Sequence, residues 1–116
     1  MSVLPTTVID GLTYTIINGR PHYLPSLFNA AGVRRIASTY RVSIEKAAEL
    51  YVRASDDCEA CGGPPEPQPR LCIDHDHATG IVRGAVCGRC NTVLGTMRDD
   101  PTRLRKLADY LERPRA

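Results

Sequence analysis

The sequence has almost no aromatic mass. It contains no Trp and one Phe, with five Tyr among 116 residues, so few large side chains are available to thicken a core. The hydrophobic fraction of 42% is slightly low for a globular protein. A single domain of this length buries only about two-thirds of its unfolded surface. Small domains in this position usually rely on a staple. Charge of one sign is lacking as well: the formal net charge is +2, too weak a field to imply a partner. Lysine is scarce, with two Lys against thirteen Arg, and Arg is the better fork for phosphate. No run of about twenty apolar residues exists, which excludes a membrane span. Residues 1–10 lack the basic and apolar regions of a signal peptide. The chain is therefore expected in a reducing cytoplasm, where disulfides are rare.

What is present is punctuated clearly. Residues 12–17 alternate β-formers, Asn18-Gly19 follows, and residues 20–24 resume. That pattern predicts a hairpin, with Pro21 placing the second arm at a sheet edge. Residues 26–31 suggest one helical turn and residues 33–40 a short helix. Ser43 is a suitable N-cap for a helix over 44–53, with Ile44, Ala47, Ala48 and Tyr51 on one face. Helix, turn, helix gives either the outline of a DNA-reading helix-turn-helix or two packed helices framing a core. Four prolines between 64 and 69 forbid regular structure there. Residues 71–77 and 81–86 read as a second hairpin, and 89 to about 98 as a helix. Asp100 and Pro101 then open a last helix with an apolar stripe of Leu104, Leu107, Ala108 and Leu111. Arg103, Arg105 and Lys106 lie off that stripe, as a solvated face or a phosphate patch.

Five cysteines include two C-x-x-C knuckles, Cys58/Cys61 and Cys87/Cys90, with residues 62–86 between them. This is the spacing of a closed four-thiolate zinc site. Four thiolates leave no open position, so such a zinc is structural, and its binding energy is folding energy. Cys72, between Leu71 and Ile73, is expected to be a small buried hydrophobe.

Between the knuckles stands Asp74-His75-Asp76-His77. In a strand, His75 and His77 share one face and Asp74 and Asp76 the other. A hard divalent cation takes carboxylate and amide oxygens, and a neighbouring histidine can deprotonate water. Asn91, directly after Cys90, could supply the amide oxygen. Arg83 on the returning strand could fork a phosphate.

These segments, CEACG and LCIDHDHATGIVRGAVCGRCN, resemble the phage recombination endonuclease VII family, a branch of the HNH nucleases. The resemblance covers residues 58–95 well and 40–53 more loosely. It implies an α+β fold: a ββα-metal (HNH, or His-Me finger) core with a structural four-cysteine zinc site. A β-hairpin and helices would precede it and a C-terminal helix follow. Residues 1–30 would then be an N-terminal hairpin appendage and 31–116 the nuclease domain. It further implies Zn²⁺ on Cys58, Cys61, Cys87 and Cys90, and a catalytic Mg²⁺ or Mn²⁺ on Asp74 and Asn91. His75 would be the general base, with His77 assisting at the scissile phosphate. The substrate would be DNA, with Arg83, Arg89, Arg103 and Arg105 as candidate contacts. Cleavage would leave a 5′-phosphate and a 3′-hydroxyl. A monomer could nick, whereas double-strand cutting favours a homodimer. The chain would be a phage or prophage product acting in the bacterial host cytoplasm. The competing readings are a non-catalytic zinc-ribbon and helix-turn-helix module that binds DNA, and a thiol redox protein. The latter lacks the βαβ context expected around C-x-x-C.

Overall fold

The computed structural model describes residues 4–17 and 19–115. Three strands open the chain: β1 (Thr6–Ile9), β2 (Leu12–Ile17) and β3 (Arg20–Tyr23), antiparallel in that spatial order. The expected β2–β3 hairpin is present, though Asn18 lies outside the described residues. Pro21 falls on β3, an edge strand, where a missing N–H costs no central ladder bond. Strand β1 is an addition to the elements expected from sequence. Its signal is nonetheless there: Asp10-Gly11 takes φ of 50° and 79°, and Ile9 pairs with Leu12. Two positive-φ residues between paired strands suit a type I′ turn.

Helices α1 (Leu24–Asn29), α2 (Ala31–Tyr40) and α3 (Ile44–Arg53) follow. Helix α2 stops at Arg41, which is left-handed (φ 54°, ψ 48°). Helix α3 starts where expected: the Ser43 Oγ accepts the Lys46 N–H at 3.1 Å. The two pack closely because Gly32 has no side chain; a Cβ there would lie 2.4 Å from the Tyr51 ring. Leu4, Ile17, Leu27, Val33, Ala47 and Ala48 form one core, which joins the sheet to the helices.

The second half contains β4 (Cys72–His75), β5 (Val82–Val86), α4 (Gly88–Thr96) and α5 (Pro101–Glu112). Strands β4 and β5 pair antiparallel as a separate two-stranded sheet. A second core gathers Ala54, Cys58, Leu71, Ala85, Val86 and Cys87. Helix α3 leads into it, since the Ala54 carbonyl accepts the Leu71 N–H at 2.8 Å. Asp100 caps α5 as expected, accepting the Thr102 and Arg103 N–H groups. Helix α5 buries no residue and leaves Leu107 and Leu111 exposed. The molecule measures 66 × 27 × 25 Å, an elongated shape that accommodates two small cores in series.

Candidate functional site

Two tight turns assemble the cysteine quartet. At the first, Gly62 (φ +77°) lets its N–H reach the Cys58 carbonyl at 2.9 Å, while the Cys58 N–H donates to the Gly63 carbonyl at 2.7 Å. At the second, Cys87 is the N-cap of α4 and its Sγ accepts the Cys90 N–H. The ligand atoms of Cys58, Cys61, Cys87 and Cys90 all lie within 4.8 Å of one another, and Cys61 Sγ is 3.9 Å from Cys87 Sγ. A tetrahedron with Zn–S bonds of about 2.3 Å has S–S edges of about 3.8 Å, so the quartet has the size to hold a zinc ion. Cys58 Sγ also accepts the N–H groups of Ala60, Cys61 and Cys87. Burial alone would raise the Cys58 thiol, but the backbone N–H groups of Cys61, Cys87 and Ala60 outweigh it and bring it to about 6. The thiolate is the ligating form. Cys72 is outside this group and half-buried.

The Asp-His segment lies at the end of β4. Asp74 pairs with Gly84 and His75 with Val82, so Arg83 is an extra residue on β5 and forms a bulge. A bulge bends its strand and re-aims a side chain. Here it turns the Arg83 guanidinium onto buried Asp74: Nε reaches Oδ2 at 2.8 Å and Nη2 reaches Oδ1 at 3.0 Å. Arg83 Nη2 also donates to the His75 carbonyl and to Asp99. The phosphate fork expected of Arg83 is thus engaged by carboxylates, which hold the guanidinium protonated well above its ordinary range.

The histidine rings lie together, with centroids 4.9 Å apart, but β4 ends at His75 and His77 lies in the hairpin turn rather than on the expected longer strand. Asp76 does something else: its carboxylate accepts the Ala78 and Thr79 N–H groups and shapes the hairpin turn. His75 also faces Tyr40, with centroids 6.0 Å apart, and lines a groove with Thr39, Tyr40, Arg41 and Thr79. Asn91 sits in the first turn of α4, its N–H bonded to the Cys87 carbonyl at 2.9 Å. It lines a different groove, with Gln68, Cys72 and Arg89. Among the described residues no hydrogen bond joins the Asn91 amide to Asp74. Arg89 is exposed and pairs with Glu66 at 3.2 Å, and Arg103 and Arg105 are exposed on α5.

Sequence reasoning missed Asp99. Its carboxylate contacts His77 Nδ1 and Arg83 Nη2, each at 3.1 Å. His77 first, then Arg83, holds that carboxyl below the usual range. No local pattern marks it, since Asp100 is the residue that reads as a cap. Glu59 was missed too. It bonds both Arg53 and the Ala85 N–H, and so ties α3 to β5 behind the site.

The chain is thus a small α+β protein whose four cysteines could hold zinc beside an Asp-His edge. A family model described as recombination endonuclease VII matches residues 33–113, and the chain belongs to that family. It is 40% identical over 83 residues to the Gene 59 protein of Mycobacterium phage D29, covering 71% of this chain and 50% of the relative. With the Gene 59 protein of Mycobacterium phage L5 the identity is 36% over 83 residues, covering 71% and 51%. The chain therefore spans about half the length of these curated relatives. No solved structure matches. No helix among the described residues is long and apolar enough to cross a membrane.

Proposed function

We propose that this chain is a divalent-metal-dependent DNA endonuclease of the HNH type, with β4, β5 and α4 as its ββα-metal core. The observation that carries the proposal is the clustering of Asp74, His75 and His77 at one end of the β4–β5 hairpin, where Arg83 and Asp99 link Asp74 to His77, within the span that matches the endonuclease family. Residues 31–116 would form the nuclease unit. Residues 1–30 would be an appendage, whose Leu4, Ile17 and Leu27 share a core with α2 and α3.

The zinc held by the four cysteines would be structural, because four thiolates fill its coordination sphere. Asp74 and Asn91 offer the hard oxygen donors that Mg²⁺ or Mn²⁺ takes. Arg83 uses one acceptor position on each Asp74 oxygen, and a carboxylate has about four. The chemistry such an ion supplies when bound is Lewis-acid stabilisation of the phosphate and of the leaving 3′-oxygen. His75, open to the groove beside Tyr40, would take a proton from water as the water oxygen attacks phosphorus in line. The P–O3′ bond then breaks and the departing 3′-oxygen takes a proton from solvent water, giving a 5′-phosphate and a 3′-hydroxyl. His77 would steady the phosphate from the same face. Arg89, Arg103 and Arg105 would add backbone contacts, which position DNA without reading its sequence. A monomer would suffice to nick; a homodimer would serve double-strand cutting. The relatives suggest a phage or prophage product working in the bacterial host cytoplasm.

The alternative, a non-catalytic zinc-ribbon and helix-turn-helix DNA binder, is not better supported. Helix α3, which would have to read DNA, presents no net positive charge to phosphates: Glu45 and Glu49 balance Lys46 and Arg53, and both of those cations pair with Glu49. The test is cleavage of plasmid, linear duplex and four-way junction by zinc-loaded protein with Mg²⁺ or Mn²⁺. His75→Ala should lower the rate by about 10²–10⁴-fold with zinc content unchanged. Every DNA form intact with wild type, or full activity in His75→Ala, defeats the proposal.

A further inference from the structure

We infer that Asp99 is a positioning residue that fixes the His77 ring with Nδ1–H turned inward and Nε2 outward. The catalytic consequence rests on the nuclease proposal above; the geometry does not.

The turn after α4 is built in an unusual way. The Arg98 N–H donates to the Gly95 carbonyl at 3.1 Å and the Asp99 N–H to the Leu94 carbonyl at 2.9 Å. This is the hydrogen-bond pattern of a Schellman motif, whose left-handed position usually belongs to glycine. Here it is Arg98 (φ 54°), and Asp99 (φ 55°) is left-handed too. Two consecutive left-handed L-residues are unfavourable, and such conformations persist where surrounding contacts over-determine them. The contacts in this case belong to the Asp99 carboxylate, which the turn directs back over the hairpin. One oxygen, Oδ2, takes His77 Nδ1, and the other, Oδ1, takes Arg83 Nη2. Arg83 in turn forks the buried Asp74. The turn after α4 is thereby joined through one carboxylate to both the turn and the returning strand of the β4–β5 hairpin.

An exposed ion pair would ordinarily carry little weight. This one is asymmetric: the Asp99 side chain is 19% exposed, while His77 is 63% exposed. The carboxylate is the fixed partner and the imidazole the presented one. A carboxylate at Nδ1 selects the tautomer with hydrogen on Nδ1, so the other nitrogen is the one presented outward. In either protonation state of the ring, Nε2 is then the atom available to a phosphate oxygen or water.

The test uses the full zinc-loaded chain, ¹⁵N-labelled, with ring ¹H–¹⁵N correlations recorded without DNA at increasing alkalinity until the ring signals no longer change. His77 should show the Nδ1–H tautomer in wild type and shift toward Nε2–H in Asp99→Ala. Arg98→Gly relaxes the turn and keeps the carboxylate, so it should retain the wild-type ring signals. In cleavage assays Asp99→Ala should lower kcat about tenfold or more, with KM changed by less than about threefold. An unchanged His77 tautomer in Asp99→Ala overturns the inference, as does an unchanged kcat. An equal tautomer shift in Arg98→Gly overturns it as well, by making the turn the cause. Should wild type cut no DNA, the nuclease proposal falls, and the ring spectra still decide the geometry.

Discussion

Removing zinc should melt one half of this molecule and spare the other. The core around β4 and β5 consists of Ala54, Cys58, Leu71, Ala85, Val86 and Cys87. Two of these belong to the cysteine quartet, and only Leu71 and Val86 are large aliphatics. Burying two such side chains contributes about 3–6 kcal/mol, whereas structural zinc in small peptides contributes about 10–16 kcal/mol. A zinc ion held there would therefore outweigh the burial of Leu71 and Val86, with only the partly buried Ile73 beside them. The core around β2, α2 and α3 contains no cysteine. It has Leu4, Ile17, Leu27 and Val33 of its own, flanked by partly buried hydrophobics such as Phe28, Ile36 and Tyr51. The assay is amide hydrogen exchange on the full chain, under reducing conditions, before and after stripping by a strong chelator. Amides of β4, β5 and α4 should lose protection by at least about 100-fold, a change of about 3 kcal/mol or more in local opening. Those of β2 and the first turns of α3 should keep most of theirs. Cys87→Ser should reproduce this pattern without chelator. Persistent protection in Val82–Val86 of the stripped protein would refute the reasoning. A single transition that unfolds both halves together would refute it equally.

The other predictions concern the site and its support. Asn91→Ala should raise the Mg²⁺ or Mn²⁺ concentration needed for half-maximal cleavage by about tenfold, with unchanged zinc stoichiometry; titration of cleavage against metal checks it. At Gly84 an added Cβ would lie 3.0 Å from Glu59 Oε1 and push by a few tenths of an ångström on the carboxylate that bonds Arg53 and the Ala85 N–H. Gly84→Ala should therefore cost about 1 kcal/mol, the weakened charged hydrogen bonds outweighing the backbone gain, visible as a lower Tm. Burial raises the Glu59 carboxyl, but the Arg53 bond, the Ala85 N–H and the Arg53 and Lys46 charges outweigh it and hold it low. A depressed carboxylate contributes stability above its unfolded pKa of about 4.3, and that contribution is lost as pH falls through the folded value. Glu59→Gln should thus show a shallower loss of stability below about pH 4 in acid denaturation.

Local chemistry makes much of the molecule legible. The Asn-Gly turn, Ser43, Asp100-Pro101 and the paired knuckles each act within a few residues, so sequence spacing determines them. The β1 strand is marked in the same way, through Asp10-Gly11. The four cysteines are the borderline case: each knuckle is local, but their closure into one centre depends on β5 delivering Cys87 beside Cys58. Arg83 shows where local reading fails. Regular alternation would not place it on the Asp74 carboxylate, and only the bulge in the β4–β5 register does so. Asp99 and Tyr40 escape local reading for the same kind of reason. They reach His77 and His75 from the turn after α4 and from α2, and residue type alone carries no record of that approach.

By itself the sequence determined the scarcity of aromatic core, the cysteine knuckles that offset it, the helix caps and the Asp-His segment. Each follows from short-range geometry and the chemistry of single side chains. Tertiary structure alone decided what those side chains face. Asp74 is closed on Arg83, Arg83 is shared with Asp99, His77 is held at Nδ1, and Asn91 opens onto a separate groove. These are set by strand register and by the turn after α4, both of which depend on contacts between residues far apart along the chain.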